Sequence, residues 1–237
     1  ATVGRIGAAG GEAVAVGGNV ARPADVQQMV AAAETHFGPV DILACIAGVL
    51  RTTSGAEKIS EDEWDLVLDV NLKGMFLVTQ TVAPAIARSG GGSIVNMSTI
   101  EAHRAMPDMG VYGAMKAAVA HLTMTLAVEL GPHGIRVNAI APDLFPNETT
   151  AAAGFGAGDA DSPLTDVGYQ IAVPLGRTGE EHEVAGPVLF LASDLSSYIT
   201  GTTVHIDGGT LATGGWLHWP EGYRNTIPHS VLEHLER

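Results

Sequence analysis

The chain carries the run Ser93-Ile-Val-Asn-Met-Ser-Thr99, and the run Tyr112-Gly-Ala-Met-Lys116 begins 13 residues after Thr99. The first run is rich in apolar and β-branched residues, which predicts a buried strand, and the second lies in a helix predicted over 110–130. Tyr112 and Lys116 are four residues apart, so they share one face of that helix. The same spacing is common on any amphipathic helix, so the pair alone does not establish a functional site.

The two side chains nevertheless favour proton-transfer chemistry. A free tyrosine has a pKa of about 10, and a cation within a few ångströms favours its ionised form. Lowering that pKa by about three units needs about 4 kcal/mol of differential interaction, which a partly desolvated lysine and hydroxyl donors can supply. The sequence therefore predicts a lowered pKa for Tyr112, whose phenol would exchange a proton with an alcohol or a ketone.

Composition narrows the class of protein. The 237 residues, of which 46% are hydrophobic and 30 are glycine, fit one α/β domain over 1–237. The 12 Lys and Arg residues against 26 Asp and Glu residues give a net charge of −14, which disfavours nucleic acids and anionic membrane surfaces as partners. A single cysteine, Cys45, excludes an internal disulfide and favours a cytoplasmic location. No apolar run approaches the roughly 18 residues of a membrane span, and the nine histidines are too scattered to predict a metal site.

Apolar periodicity and glycine or proline punctuation alternate predicted strands with predicted helices. Ser60 and Glu63 form a capping-box pattern at the start of the longest helix. The alternation predicts an α/β fold with a parallel, doubly wound sheet that binds ligands at the carboxyl ends of its strands. Residues 142–163 are predicted to form a substrate lid and 210–237 a C-terminal tail. The predicted strands cover 12–16, 40–46, 93–97, 135–140 and 202–206, and the predicted helices 23–36, 60–88, 110–130 and 180–192.

Seven segments between residues 12 and 209 form a further pattern. They are Asn19-Val20, Cys45-Ile-Ala-Gly48, Asp69-Val-Asn71, Ser93-Ile-Val-Asn-Met-Ser-Thr99, Tyr112-Gly-Ala-Met-Lys116, Arg136-Val-Asn-Ala-Ile-Ala-Pro142 and Asp207-Gly-Gly209. In this order and at this spacing they resemble the short-chain dehydrogenase/reductase family. The resemblance implies a Rossmann-type sheet and NAD or NADP as cofactor.

The resemblance also implies catalytic roles. Tyr112 would be the general acid/base that protonates a ketone oxygen or deprotonates an alcohol. Lys116 would lower the pKa of Tyr112 and hold the hydroxyls of the nicotinamide ribose. Asn71 would fix a water in a proton relay to Lys116, and the competing interpretation is an asparagine satisfied within its own helix.

The substrate-orienting hydroxyl is assigned by spacing within the family pattern. The family has a serine 13 positions before the tyrosine, and that position is Thr99 here. Ser98 lies one position earlier, and successive side chains at the end of a strand point to opposite faces. We therefore expect Thr99 to donate a hydrogen bond to the substrate oxygen and Ser98 to be structural.

The cofactor contacts implied by the resemblance are partly altered. Where the family has Asn-Asn-Ala-Gly, this chain has Cys45-Ile-Ala-Gly48, so side chains that brace the central strands are replaced while backbone contacts can persist. The proline-glycine pair expected after the sixth strand is Pro142-Asp143. The implied cofactor-binding residues are Asn19, Val20, Ala47, Gly48, Tyr112, Lys116, Pro142 and Leu144.

The front of the family pattern is not found in this sequence. In the family, a glycine-rich phosphate-binding turn follows the first strand. Here the glycines within 1–11 follow no strand and precede the strand predicted over 12–16, so they resemble the end of the helix that leads into the third strand. We therefore expect an N-terminally truncated Rossmann-type fold: either the sequence is incomplete, or the chain as written is not a working enzyme.

These observations predict an oxidoreductase that moves a hydride between NAD or NADP and a secondary alcohol or ketone. The substrate is expected to be partly apolar, because the lid offers Leu144, Phe145 and Phe155 but few charges. The competing prediction is a non-catalytic relative that serves as a binding or assembly protein. The resemblance further implies a homodimer or homotetramer that pairs the helices 60–88 and 110–130.

Overall fold

The computed structural model describes residues 1–50, 54–143, 145–146, 163–219 and 222–226. Its central sheet is parallel and contains, side by side in this order, β1 (Ile42–Cys45), β2 (Gly92–Met97), β3 (Ile135–Pro142) and β4 (Thr203–Ile206). Cys45 pairs with Asn96, and Asn96 pairs with Ala139, so β1, β2 and β3 end at the same edge of the sheet. A separate antiparallel pair contains β5 (Leu217–Trp219) and β6 (Gly222–Arg224).

Helices connect these strands. A five-residue π-helical segment, Asp69–Lys73, joins α3 to α4, so residues 61–89 form one continuous helical stretch. Within the described part of the chain the α-helices are α1 (Thr2–Ala8), α2 (Pro23–Phe37), α3 (Glu61–Leu68), α4 (Gly74–Ser89), α5 (Gly110–Leu130), α6 (Pro163–Ala172) and α7 (Glu181–Ala192).

Both faces of the sheet are covered by helices. On one face, Ile86 of α4 and Leu126 of α5 share a core cluster with Ile94 of β2. On the other face, Leu191 of α7 packs with Val95 of β2. Removing each of these side chains from water contributes about 1.5–3 kcal/mol to folding. The layers confirm the predicted α/β architecture with a doubly wound parallel sheet.

Most of the predicted elements are confirmed. The helix predicted over 110–130 coincides with α5, and the helix predicted over 23–36 differs from α2 by one residue. The capping box is also present: Ser60 Oγ accepts a hydrogen bond from the Glu63 amide, and Glu63 Oε2 accepts one from the Ser60 amide. The long helix predicted over 60–88 is confirmed, although the sequence did not predict its π-helical segment.

The strand predicted over 12–16 is wrong. Thr2–Ala8 is helical as expected, but residues 12–16 belong to no helix or strand. A strand needs a neighbour to accept and donate its backbone hydrogen bonds. β1 lies at one end of the described sheet and pairs only with β2 there, so residues 12–16 have no described strand beside them.

Two described helical stretches, Glu61–Ser89 and Gly110–His133, are long and apolar enough to cross a membrane by length and composition. Both contribute buried residues to the cluster that packs on the sheet, as core helices of an α/β domain do. The expected cytoplasmic location and the single domain over 1–237 stay predictions. Most of the predicted lid over 142–163, and the tail beyond residue 226, lie outside the described residues.

Candidate active site

A cleft of about 650 Å³ opens where β1, β2 and β3 end, beside the first turns of α5. Its position follows from the fold, because parallel strands end at one edge and the loops after them form the walls. Hydroxyls, carboxylates and an ammonium share these walls with apolar side chains. Five of the residues predicted from the sequence line the cleft, namely Gly48, Thr99, Tyr112, Lys116 and Pro142.

Lys116 lies at the base of the cleft with its side chain 2% exposed. Its Nζ donates a hydrogen bond to the Met97 carbonyl at 2.8 Å and lies 5.6 Å from the centroid of the Tyr112 ring. Burial lowers the pKa of Lys116 to about 8, and the nearby Cys45 thiol opposes this shift. The ammonium form therefore still predominates at neutral pH, and α5 presents it one turn from the phenol.

Tyr112 does not have the lowered pKa that the sequence predicted. Burial and, to a smaller extent, the Glu101 carboxylate raise the pKa of Tyr112 to about 12, although a hydrogen bond with the Thr99 hydroxyl lowers it in part. Lys116 lies over the aromatic ring and donates to the Met97 carbonyl, so its charge is not centred on the phenol oxygen. The prediction is therefore wrong for this structure, in which the resting phenol is protonated.

Thr99 and Ser98 have different surroundings, as the alternation of strand side chains predicts. The Ser98 hydroxyl is buried and donates to the backbone carbonyl of Lys116 at 3.0 Å, which ties β2 to α5. The Thr99 hydroxyl instead interacts with Tyr112 and Glu101. Thr99 is thus the hydroxyl of this pair that the fold brings next to the phenol.

Asn71 lies in the π-helical segment, and its amide is bonded to the protein. Nδ2 donates to the carbonyls of Val67 and Val49, and Oδ1 accepts from the Val49 amide at 3.3 Å. The side chain therefore connects its own helix to the backbone that follows β1. The bond to Val67 supports the interpretation of an asparagine satisfied within its own helix, and the bonds to Val49 in addition brace the cleft. Its part in a water relay stays a prediction.

Gly48 is placed where a larger residue would close the cleft. A Cβ atom at this position would lie 2.9 Å from Asn71 Oδ1 and 3.5 Å from Lys116 Nζ. Since an ammonium has three donors and the structure shows one of them bonded to Met97, the space beside Gly48 gives the others access to a ligand. Gly48 and Lys116 thus fit the hydroxyls of a nicotinamide ribose.

The other predicted cofactor residues lie elsewhere. Val20 and Ala47 line a separate apolar cavity of about 320 Å³ between β1 and the helices α2 and α4. The side chain of Asn19 accepts a hydrogen bond from the Ala21 amide, which stabilises the turn before α2. The structure therefore does not bring these three residues to the cleft that contains Tyr112. Leu144 lies outside the described residues.

Sequence reasoning missed a charged network beside Thr99. Glu101 Oε2 accepts a hydrogen bond from the Thr99 hydroxyl at 2.5 Å, and Glu101 Oε1 accepts one from Arg104 at 3.1 Å. Arg104 also donates to Asp143 at 2.8 Å, and Asp143 accepts from the Thr210 hydroxyl. Burial raises the pKa of Asp143, and its Thr210 and Arg104 partners oppose that shift. The sequence contains a signal for this network, because Glu101 lies two residues after Thr99 and Arg104 lies three residues after Glu101.

Comparison with known proteins gives consistent matches over most of the chain. The family model described as enoyl-(acyl carrier protein) reductase matches residues 1–210. A 3-oxoacyl-[acyl-carrier-protein] reductase, FabG of Staphylococcus epidermidis, is 38% identical over 209 residues, which cover 88% of this chain and 82% of the relative. The short-chain reductase protein NovJ of Streptomyces niveus is 42% identical over 211 residues, covering 88% of this chain and 79% of NovJ.

Solved structures match the fold as well. A gluconate 5-dehydrogenase from Burkholderia cenocepacia, crystallised with NADP and tartrate, superposes with a TM-score of 0.80 and 30% identity over 89% of this chain and 80% of its own. A putative short-chain alcohol dehydrogenase from Sinorhizobium meliloti gives a TM-score of 0.80 and 33% identity over 89% of this chain and 81% of its own. This chain therefore belongs to the short-chain dehydrogenase/reductase family and is an oxidoreductase that uses NAD or NADP.

Proposed function

We propose that the protein transfers a hydride between its nicotinamide cofactor and a secondary alcohol or ketone, with Tyr112 as the general acid/base. The observation that carries the proposal is the convergence of Thr99, Tyr112 and Lys116 in one cleft, although they come from β2 and α5. Asn71 braces the wall of that cleft through Val49. Family membership establishes the class of reaction, and this geometry supports the assignment of the residues.

The chemistry follows from the protonation states. When bound, a nicotinamide cofactor held by Gly48 and Lys116 would supply a hydride to the carbonyl carbon, or accept one in the reverse direction. Tyr112 transfers its phenol proton to the carbonyl oxygen, and the resulting phenolate is stabilised by the Lys116 ammonium one helical turn away. The Thr99 hydroxyl turns toward the substrate oxygen as negative charge develops there. Positioned acid catalysis of this kind accounts for about 10²–10⁴-fold in rate.

The charges around the cleft favour a neutral substrate. Asp143 and Glu181 are among its lining residues, and both carboxylates repel a substrate that carries a carboxylate or phosphate next to the reacting carbon. Phe145 and Val184 add apolar surface to the same walls. We therefore propose a partly apolar ketone or secondary alcohol that is uncharged near the reacting carbon.

We further propose that the protein is a cytoplasmic homodimer or homotetramer. Phe76 of α4 and Met124 and Val128 of α5 are exposed apolar side chains on the two helices that the family is expected to pair between subunits. Analytical ultracentrifugation of the wild type and of Val128→Lys measures this directly. We expect the charged variant to dissociate, and a monomeric wild type would contradict the proposal.

The proposed reaction is tested by removing one hydroxyl. NADH and NADPH binding is measured by fluorescence, and turnover is then measured over a panel of neutral ketones that includes 3-oxoacyl thioesters. We expect Tyr112→Phe to lower kcat by about 10²–10⁴-fold while cofactor affinity is retained. Tyr198→Phe is the matched control, because it removes the same hydroxyl from a fully exposed side chain and leaves turnover unchanged.

Two results would overturn the proposal. Equal turnover of Tyr112→Phe and the wild type would exclude Tyr112 as the acid. Failure of the folded wild type to bind either cofactor would favour the alternative of a non-catalytic binding protein.

A further inference from the structure

Glu101 is a buried carboxylate that the proposed reaction does not use. Its side chain is 8% exposed and lies between the Thr99 hydroxyl and the Arg104 guanidinium. Arg104 is shared with Asp143, so the three charged side chains carry two negative charges and one positive charge. The network therefore leaves a net negative charge beside the hydroxyls of the cleft.

The Thr99 hydroxyl has one proton, and the group that accepts this proton determines whether Thr99 can also donate a hydrogen bond to Tyr112. A carboxylate is a stronger hydrogen-bond acceptor than a hydroxyl or a carbonyl. At 2.5 Å, Glu101 holds the Thr99 proton more strongly than the Pro142 carbonyl, which lies at 3.3 Å from the same oxygen. While Glu101 holds this proton, Thr99 is less able to donate a hydrogen bond to the phenolate, the contact that lowers the pKa of Tyr112.

The charge of Glu101 acts on Tyr112 in the same direction. Repulsion by this carboxylate is the second cause, after burial, of the raised pKa of Tyr112. Lys116 is the cation nearest the ring on the same helix, and Glu181 contributes another carboxylate to the cleft walls. The Arg104 guanidinium binds the carboxylates of Glu101 and Asp143.

We propose that Glu101 is a positioning residue that fixes the Thr99 hydroxyl and keeps the Tyr112 phenol protonated, which is the form from which carbonyl reduction starts. The phenol is the form that gives a proton to a ketone, whereas alcohol oxidation begins from the phenolate. This inference rests on the proposed function for its catalytic meaning. Its effect on the titration of Tyr112 is a property of the protein without substrate.

The first measurement is therefore independent of turnover. Phenolate absorbance of the full chain is followed with alkaline pH, over the range in which circular dichroism shows the protein folded, and the signal of Tyr112→Phe is subtracted. We expect Glu101→Gln to contain about tenfold more Tyr112 phenolate than the wild type at a given pH, which corresponds to a shift of about one unit. Glu34→Gln is the matched control, since it removes an exposed carboxylate whose ion pair is with Arg88.

A second variant separates charge from position. Glu101→Asp keeps the charge but is one methylene shorter, so we expect the Tyr112 titration to stay near that of the wild type while kcat falls as the Thr99 contact is lost. In Glu101→Gln, the pH profile of alcohol oxidation is expected to move to lower pH by the same amount as the titration.

The outcomes distinguish this inference from the proposed function. An unchanged Tyr112 titration in Glu101→Gln, or an equal shift in Glu34→Gln, would overturn the role of Glu101 whether or not the enzyme turns over. A Glu101→Asp variant that titrates like Glu101→Gln would overturn the assignment to charge. A wild type that titrates as expected but reduces no ketone would instead contradict the proposed function.

Discussion

The polar cleft and the apolar cavity beside β1 are neighbours with opposite construction. Ile46 lines both of them, Ala47 faces the cavity and Gly48 faces the cleft, so the division falls within three successive residues. In the cleft, buried polar groups are tied together by hydrogen bonds. In the cavity the described walls are apolar, and β1 leaves Ile42 51% exposed at the end of the sheet.

The two regions lower the stability of the fold in different ways: the cleft buries a charge, and the cavity leaves apolar surface exposed. Burying an ammonium costs free energy, because one bond to the Met97 carbonyl replaces only part of its hydration. The cavity beside β1 instead leaves apolar surface in contact with solvent, which forgoes about 25 cal/mol per Å². Substitutions in the two regions are therefore expected to change the free energy of unfolding by amounts that differ in sign as well as size.

The largest expected effect is that of Lys116→Met, which removes the charge and keeps a long side chain. We expect kcat to fall by about 10²–10³-fold, because the phenolate loses its cation. The folded protein is expected to become more stable, because an apolar side chain needs no partner in that buried position. Steady-state kinetics and thermal unfolding at neutral pH measure both changes, and a less stable Lys116→Met variant would contradict the account of a costly ammonium.

The pH dependence of stability gives a second measure of the same group. The pKa of Lys116 is about 8 in the folded protein, against an ordinary 10.5, so the unfolded chain binds more protons between these values. Stability should therefore rise between about pH 8 and pH 10, by about 2–3 kcal/mol from this group. Above about pH 9 the raised pKa of Cys45, and above about pH 10 that of Tyr112, act in the opposite direction. Lys116→Met should lose the rise, and a rise that persists in this variant would assign it to other groups.

The second prediction compares the same substitution in the two regions of the sheet. Ile94→Ala in the covered strand β2, where the side chain is 0% exposed, should cost about 2–5 kcal/mol in the free energy of unfolding. Ile42→Ala in β1 should cost under about 1 kcal/mol, because half of its side chain already contacts water. Urea unfolding of both variants decides the matter. Equal losses would mean that β1 is covered in solution.

The smallest expected effect concerns the boundary between the two regions. Gly48→Ala should lower kcat/KM by about tenfold, since its Cβ would lie 2.9 Å from Asn71 Oδ1 and narrow the space beside Lys116. Gly4→Ala is the control, because a Cβ there meets no atom within 4 Å and alanine favours the helix. The proposed ribose-binding space beside Gly48 would be wrong if the two variants had the same kcat/KM and the same affinity for NADH and NADPH.

Local patterns predicted the elements well where a single helix or strand carries the information. The bounds of α5 follow from its apolar content and the Gly131-Pro132 that ends it, and the capping box at Ser60 follows from two residues three apart. The strand predicted over 12–16 has the same kind of pattern, but a strand depends on a neighbour that its own residues do not specify.

The same distinction applies to the candidate site. Helix periodicity predicted that Tyr112 and Lys116 share one face, and the resemblance to the family implied that Thr99 joins them in the cleft. The pKa of Tyr112 was predicted in the wrong direction, because it depends on burial and on the Glu101 carboxylate as well as on the spacing of Lys116.

The sequence by itself determined the α/β alternation, the family and the identity of the phenol and ammonium pair. The tertiary structure decided that Ala47 and Gly48 serve different cavities, that Arg104 joins Glu101 to Asp143, and that the phenol rests in its protonated form. The physical reason is range: periodicity acts over a few residues, whereas the solvation and charge around a buried group are the sum of segments that only folding brings together.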